Sequence, residues 1–249
     1  MLTYLIVCPL CFLAAFVDAI AGGGGLISIP AYMIAGVPVK ASLGTSKVSS
    51  AISNLGAVGS FAQMGFIDWK KAVLSTVTAV TGCILGSFLA LQLSEEVFRV
   101  LMLILVPLTA VYVLRSHALD TAARAPLPPL PTALWIAGIS FVLGFYDGFY
   151  GPGSGTFMLL GLAVLAHLDL ETASGLVKVS MLGNNVSGLL VFGLGGQLVL
   201  PLGLVAGLFG AAGGIAGART FAKHGARSVK PLIVVVLVLF FVRMLTEIL

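Results

Sequence analysis

Apolar residues fall into ten runs along the chain, at about 2–20, 23–37, 41–62, 72–91, 97–114, 132–146, 153–166, 172–193, 199–218 and 229–248. Most are long enough to carry a helix across a hydrocarbon core of about 30 Å. The pattern predicts an all-α polytopic membrane protein. Runs two and seven are shorter and begin among glycines, and run two contains Pro30. They are expected to be broken helices, the first of them broken at Pro30, and either discontinuous or partly re-entrant. RSHALDTAARAPLPPLP at 115–131 is the only long polar, proline-rich connection. It divides the chain into a first transmembrane repeat (1–114), a linker (115–131) and a second repeat (132–249).

The two halves match residue by residue. At an offset of 131, Gly44, Lys47, Val48, Ser49 and Asn54 fall on Gly175, Lys178, Val179, Ser180 and Asn185, and Gly82 and Gly86 fall on Gly213 and Gly217. At an offset of 129, DAIAGGGG (18–25) falls on DGFYGPGS (147–154). With five crossings per half, the repeats are inverted with respect to each other. Loop charge supports that count. If all ten runs cross, eight basic residues (Lys70, Lys71, Arg115, Arg124, Arg219, Lys223, Arg227, Lys230) share one side against three (Lys40, Arg99, Arg243). Were runs two and seven to return on their own side, the split would be six against five. The positive-inside rule favours ten crossings, with both termini outside and residues 115–131 in the cytoplasm.

Composition agrees: 59% of residues are hydrophobic, 9% are charged, and the mean hydropathy is +1.14. The net charge of +4 is scattered over short loops with no aromatic-basic module, so no nucleic-acid partner is expected. The first run lacks a basic n-region and ends in Asp18, which reads as a membrane helix and not a cleaved signal. Cys8 and Cys11 form a C-x-x-C inside that run without a second Cys or His pair, and read as packing residues. No metal and no cofactor are expected.

Against this background GTSKVSSAISN (44–54) stands out, because a cation within a membrane helix costs about 2.5–3.5 kcal/mol on insertion scales and marks a pathway or a partner. With Ser42 and Asp169 as expected N-caps, Lys47 and Lys178 lie about 8–14 Å along their helices. Asn54 and Asn185 follow seven residues later on nearly the same face. Ser46, Ser49, Ser50 and Ser53 accompany the first lysine, and Ser180 and Asn184 the second. One lysine alone would read as a side chain snorkelling to the interface. Two at equivalent positions, each followed by an asparagine, point to a binding role. AGGGG and GPGSG, with Gly23, Gly24, Gly25, Gly153 and Ser154, suit half-helix starts whose free N–H groups attract an oxyanion, or else close helix packing. Asp18 and Asp147 precede these breaks, and are placed to cap the half-helix, pair with a lysine or carry a coupling proton.

DAIAGGGGLISIP, GTSKVSSAISN, GFIDWKKA (65–72), GFYDGFYGPGSGTF and KVSMLGNNVSG, in duplicated halves of a chain near 250 residues, resemble the sulfite exporter TauE/SafE family, which includes YfcA-like permeases. The resemblance implies a secondary transporter in the bacterial cytoplasmic membrane for a small sulfur-containing anion such as sulfite, thiosulfate or an organosulfonate, with proton or sodium coupling open. Alternatives are an anion channel and, more remotely, an intramembrane hydrolase with Ser154 as nucleophile. The histidines available to such a serine, His117, His167 and His224, all map to loops. No enzyme activity is expected.

Overall fold

The computed structural model describes residues 2–98 and 125–224, with Val100, Leu101, Ile104, Leu105 and Leu108 between them. The tenth apolar run and residues 115–124 of the linker lie outside the described residues. Eight helices are assigned: α1 (Leu2–Ala21), α2 (Gly25–Ile34), α3 (Val39–Gln63), α4 (Trp69–Gln92), α5 (Pro129–Phe149), α6 (Ser154–Val164), α7 (Leu170–Leu194) and α8 (Leu200–His224). The described residues from Glu95 to Leu108 are also helical, and no strand occurs among the described residues. Helices α1, α4, α5, α7 and α8 are long and apolar enough to cross a membrane. The chain is an all-α polytopic membrane protein.

Local chemistry fixes the helix ends. Asp169 caps α7, its carboxylate accepting from the Thr172 N–H at 2.8 Å, as expected. Ser42 does not cap α3. That helix begins three residues earlier, at Val39, because Pro38 sets a φ of −53° suited to a helix start. The Val39 N–H is satisfied instead by Glu95 Oε1 at 2.6 Å, and the Ser42 hydroxyl, now inside the first turn, donates to the Val37 carbonyl. Asp68 caps α4 through the Lys71 N–H and pairs with the Lys71 ammonium at 2.9 Å. Hydrogen bonding from Lys71 holds the Asp68 carboxyl below the usual carboxylate range.

The expected break at Pro30 is not where the chain breaks. Helix α2 runs through Pro30, which removes one N–H without ending so short a helix. The interruption lies upstream, at Gly22, whose φ of +75° ends α1 and turns the chain. In the second half, Gly151 and Gly153 take φ of +94° and +81° ahead of α6. At 10 and 11 residues, α2 and α6 are half-helices of about 15 Å.

Helix directions follow from which residues abut. Gly203 and Gly207 of α8 lie against Val48 and Ile52 of α3, and Gly213 and Gly217 lie against Phe12 and Phe16 of α1, so α1, α3 and α8 run parallel. By the same reasoning α4, α5 and α7 run parallel: Gly82 and Gly86 meet Phe141 and Phe145, and Gly183 and Gly195 meet Thr76 and Leu91. Helices α3 and α7, equivalent in the repeat, are antiparallel. Gly44 near the start of α3 meets Phe192 near the end of α7, and Gly175 near the start of α7 meets Phe66 just past α3. Equivalent helices therefore point in opposite directions, which is the inverted arrangement. Since α1 and α3 are parallel, the chain between them reverses at the glycine break and returns across the bundle through a half-helix, which makes one crossing. The same holds between α5 and α7.

The packing is exchanged between halves. First-half α1 packs on second-half α8 and first-half α4 on second-half α5, with the repeat-equivalent residues in both places. A Cβ on Gly148 would strike the Cys83 carbonyl, whereas one on Gly138, further up the same helix, would meet nothing within 4 Å. Gly148→Ala is therefore expected to lose about 1–3 kcal/mol, the usual penalty of overpacking. Gly138→Ala should be neutral or slightly stabilising, as an alanine in a helix is. Thermal unfolding of the two variants in detergent checks the difference, and equal midpoints would contradict the packing.

Candidate functional site

Asp18 stands one turn before the end of α1, and Asp147 at the equivalent point of α5. Each first serves its own break. The Asp18 Oδ1 accepts from the Gly24 N–H at 3.2 Å, and the Asp147 Oδ1 accepts from the Ser154 hydroxyl at 2.6 Å. The remaining oxygen of each reaches into the opposite repeat. Lys47 Nζ lies 2.6 Å from Asp147 Oδ2 and also donates to the Asp147 carbonyl at 3.0 Å. Lys178 Nζ lies 2.8 Å from Asp18 Oδ2 and also donates to the Asp18 carbonyl. The lysine side chains are 5% and 3% exposed, which excludes snorkelling to water. Each aspartate is thus a lysine partner that also ties down its own break, while neither half-helix carries a side-chain cap.

The two breaks cross in contact. A Cβ on Gly22 would clash with the Gly155 backbone, and one on Gly155 with Gly22, while one on Gly25 would sit 3.2 Å from Pro152 Cα. The glycines consequently serve both purposes, left-handed turns and close approach. Helix-start N–H groups are largely satisfied inside each half: Leu26 donates to Gly23 O, Ile27 and Ser28 to Gly24 O, and Phe157 to Gly153 O.

Beside this crossing a cavity encloses about 740 Å³ of empty space, its open mouth included. Of the sequence-predicted residues it brings together Lys47, Asn54, Asn185, Ser46, Ser49, Ser50, Gly24, Gly25, Ser154, Asp18 and Asp147. Lys178 lies instead in a second cleft of about 190 Å³ with Asp18, Gly22, Val177 and Ser174. Ser180 lines neither, since its hydroxyl is bonded to Ser75 at 2.7 Å and Ser75 in turn to Ser140. Asn184 is fully buried, and Gly23 and Gly153 are absent from both linings. The second cleft is the repeat image of part of the first: Asp18, Gly22, Ser174, Val177 and Lys178 stand where Asp147, Gly151, Leu43, Ser46 and Lys47 stand in the cavity.

The cavity's polar groups divide by what they already bond. Ser46, Ser49 and Ser53 donate to the carbonyls of Leu43, Ser46 and Ser49 on their own helix, and Ser49 also accepts from the Tyr32 hydroxyl at 2.8 Å. Asn54 and Asn185 show no side-chain partner among the described residues. Ser28, on α2, lines the cavity with a buried hydroxyl that also lacks one. Sequence reasoning passed over Ser28 because the repeat comparison sets it against Phe157, so it carries no duplicated signal. Cys11, read as packing, is buried, contributes to the cavity wall and donates its S–H to Tyr32. The Ser154 hydroxyl goes to Asp147, and His167 sits in an exposed loop with Nδ1 2.8 Å from the Ala125 carbonyl, so this histidine does not activate the serine. No group of metal-ligating side chains occurs among the described residues.

Comparison with known proteins gives a consistent picture. The family model described as sulfite exporter TauE/SafE matches residues 7–244. The chain is 32% identical over 237 residues to the probable membrane transporter protein ORF9 of a Sinorhizobium species, covering 95% of this chain and 90% of that one. It is 32% identical over 225 residues to the probable membrane transporter protein YfcA of Escherichia coli, covering 90% of this chain and 82% of YfcA. A probable membrane transporter protein of Haemophilus influenzae is 31% identical over 224 residues, covering 90% and 87%. No solved structure matches the chain.

Removing one member of a buried ion pair strands the other charge, at about 3–5 kcal/mol, whereas removing both is often nearly neutral. Asp147→Ala is accordingly expected to destabilise the protein more than the double variant Lys47→Met with Asp147→Ala. Unfolding midpoints of the two, compared in detergent, check the coupling; a double variant as unstable as the sum of the single ones would deny it.

Proposed function

The chain belongs to the sulfite exporter TauE/SafE family of membrane transporters, and on that premise we propose that it is a secondary transporter carrying a small sulfur-containing anion, such as sulfite, thiosulfate or an organosulfonate, by alternating access across the bacterial cytoplasmic membrane. The observation that carries this reading is the pair of exchanged lysine–aspartate bridges beside a cavity whose asparagine amides are uncommitted. Inverted repeats with discontinuous helices meeting at mid-bundle are the usual frame for such carriers. The size difference between two repeat-related clefts is what one access state of an alternating pair would produce.

The roles follow from charge. Both lysines are neutralised within the protein, so an entering oxyanion competes with Asp147 for the Lys47 ammonium. Asn54, Asn185 and Ser50 donate hydrogen bonds to its oxygens, and the positive dipole ends of α2 and α6 favour its charge. Lys178 plays the equivalent part when the second cleft opens. A proton taken up by Asp147 or Asp18 releases its lysine's charge to the anion, which makes a proton the natural coupling ion; sodium is the alternative. Residues 115–131 are assigned to the cytoplasm on loop charge, with 1–114 and 132–249 as the two repeats.

Two measurements test this. Uptake of labelled sulfite, thiosulfate, sulfoacetate and sulfate into proteoliposomes, with and without a pH gradient, should show a saturable, gradient-dependent flux for at least one of them. Lys47→Gln and Lys178→Gln should each weaken its affinity roughly tenfold or more, the worth of a charge-assisted contact. Wild-type affinity in both, on folded protein, removes the lysines from the site. Separately, a cysteine at position 120, with Cys8, Cys11 and Cys83 replaced, should react with an impermeant reagent only after cells are permeabilised; labelling of intact cells reverses the orientation.

A further inference from the structure

Four serine hydroxyls line the cavity from α3: Ser46, Ser49, Ser50 and Ser53. Three of them have given their proton to a carbonyl of their own helix, at 2.7 to 3.1 Å. Such a serine meets the cavity only through oxygen lone pairs and repels an anion. Ser154, on α6, has given its proton to Asp147. The serine stripe that draws the eye in the sequence is therefore mostly spent.

Ser28 differs. It is 4% exposed, it lines the same cavity, and its hydroxyl has no partner. The local reason is visible in the backbone. A helical serine turns its proton onto a carbonyl three or four residues back, and for Ser28 the one four back is that of Gly24. That carbonyl already accepts the N–H groups of Ile27 and Ser28, at 3.0 and 2.9 Å. A hydroxyl left unbonded in a buried site is costly, and such groups persist where something else completes them. The cavity it borders is also walled by Asp18, Asp147 and Lys47, whose charges are engaged with one another or with Lys178, so the uncommitted groups around it are neutral donors.

We propose that Ser28 is a substrate-contacting residue: its hydroxyl donates to an oxygen of the anion, on the face of the cavity formed by half-helix α2, in the same cavity as the amides contributed by Asn54 and Asn185 from α3 and α7. This inference rests on the anion-transport reading and deepens it. The contact comes from one repeat alone, since the equivalent position is Phe157. The half-helix thus recognises the ligand through a side chain, its first N–H groups being largely bonded within the protein. Because α2 follows directly on the Gly22 break, any shift of this half-helix carries the hydroxyl with it, so occupancy of the site and the position of α2 are coupled.

The test uses purified full-length protein in detergent, with thiosulfate and methanesulfonate as probes, reading both dissociation constants and the unfolding midpoint without ligand. Ser28→Ala should weaken binding of the recognised anion by roughly tenfold or more, as loss of a hydrogen bond to a charged group does. Its ligand-free midpoint should stay level or rise, because the variant removes an unbonded buried hydroxyl. Ser28→Cys, of similar shape with a weak donor, should fall between. Unchanged affinity in Ser28→Ala overturns the role of Ser28 and leaves the transport reading standing. So does a lowered midpoint that accounts for the affinity loss, since that marks a packing residue. If the wild-type protein binds neither probe, nor sulfite when it is added as a third, the anion reading falls and Ser28 with it.

Discussion

An ammonium or a carboxylate inside a membrane bundle must find a counter-charge, and here each finds it in the other half of the chain. That requirement organises the centre of the molecule. Lys47 reaches Asp147 and Lys178 reaches Asp18 only if the ends of α1 and α5 come together between α3 and α7. Bringing them together puts two interrupted backbones in contact, and the contact is tolerable only with glycine at Gly22 and Gly155. The breaks then start two half-helices, and the space beside their crossing becomes the cavity. Charge, glycine and cavity are successive consequences of one pairing rule.

Much of this was legible in the chain. The apolar runs, the two offsets and the glycine clusters foretell the element order, the duplicated halves and the short helices. The lysines and aspartates were conspicuous because charge is rare in such a composition. Their partnership was not legible, since nothing along a single chain says that Lys47 faces Asp147 and not Asp18. Ser180 shows a second limit. It aligns with a cavity-lining serine and yet is bonded to Ser75, itself bonded to Ser140, because α4 presents a hydroxyl to α7 there, whereas the equivalent residue of α8, packed on α3, is Ala206. Repeat symmetry carries positions over, but not their surroundings.

The misplaced break has a related cause. Proline is the stronger mark in a sequence, but in a ten-residue helix it removes a single donor, while a glycine at φ of +75° redirects the chain. Ser42 was misread as a cap for the same kind of reason. The residue that satisfies the start of α3 is Glu95, 56 positions away, and no local pattern could reveal it.

The exchanged packing also governs how the molecule is made. A membrane protein emerges from its N-terminus, so Asp18 enters the bilayer 160 residues before Lys178, and Lys47 precedes Asp147 by 100. At synthesis rates of about 5–20 residues per second, Asp18 waits on the order of ten to thirty seconds for its counter-ion. Throughout that interval α1 also lacks α8, the helix whose glycines receive it. The first half is thus inserted as an unfinished assembly with unmatched charges, and its final arrangement is fixed only when the last helices arrive.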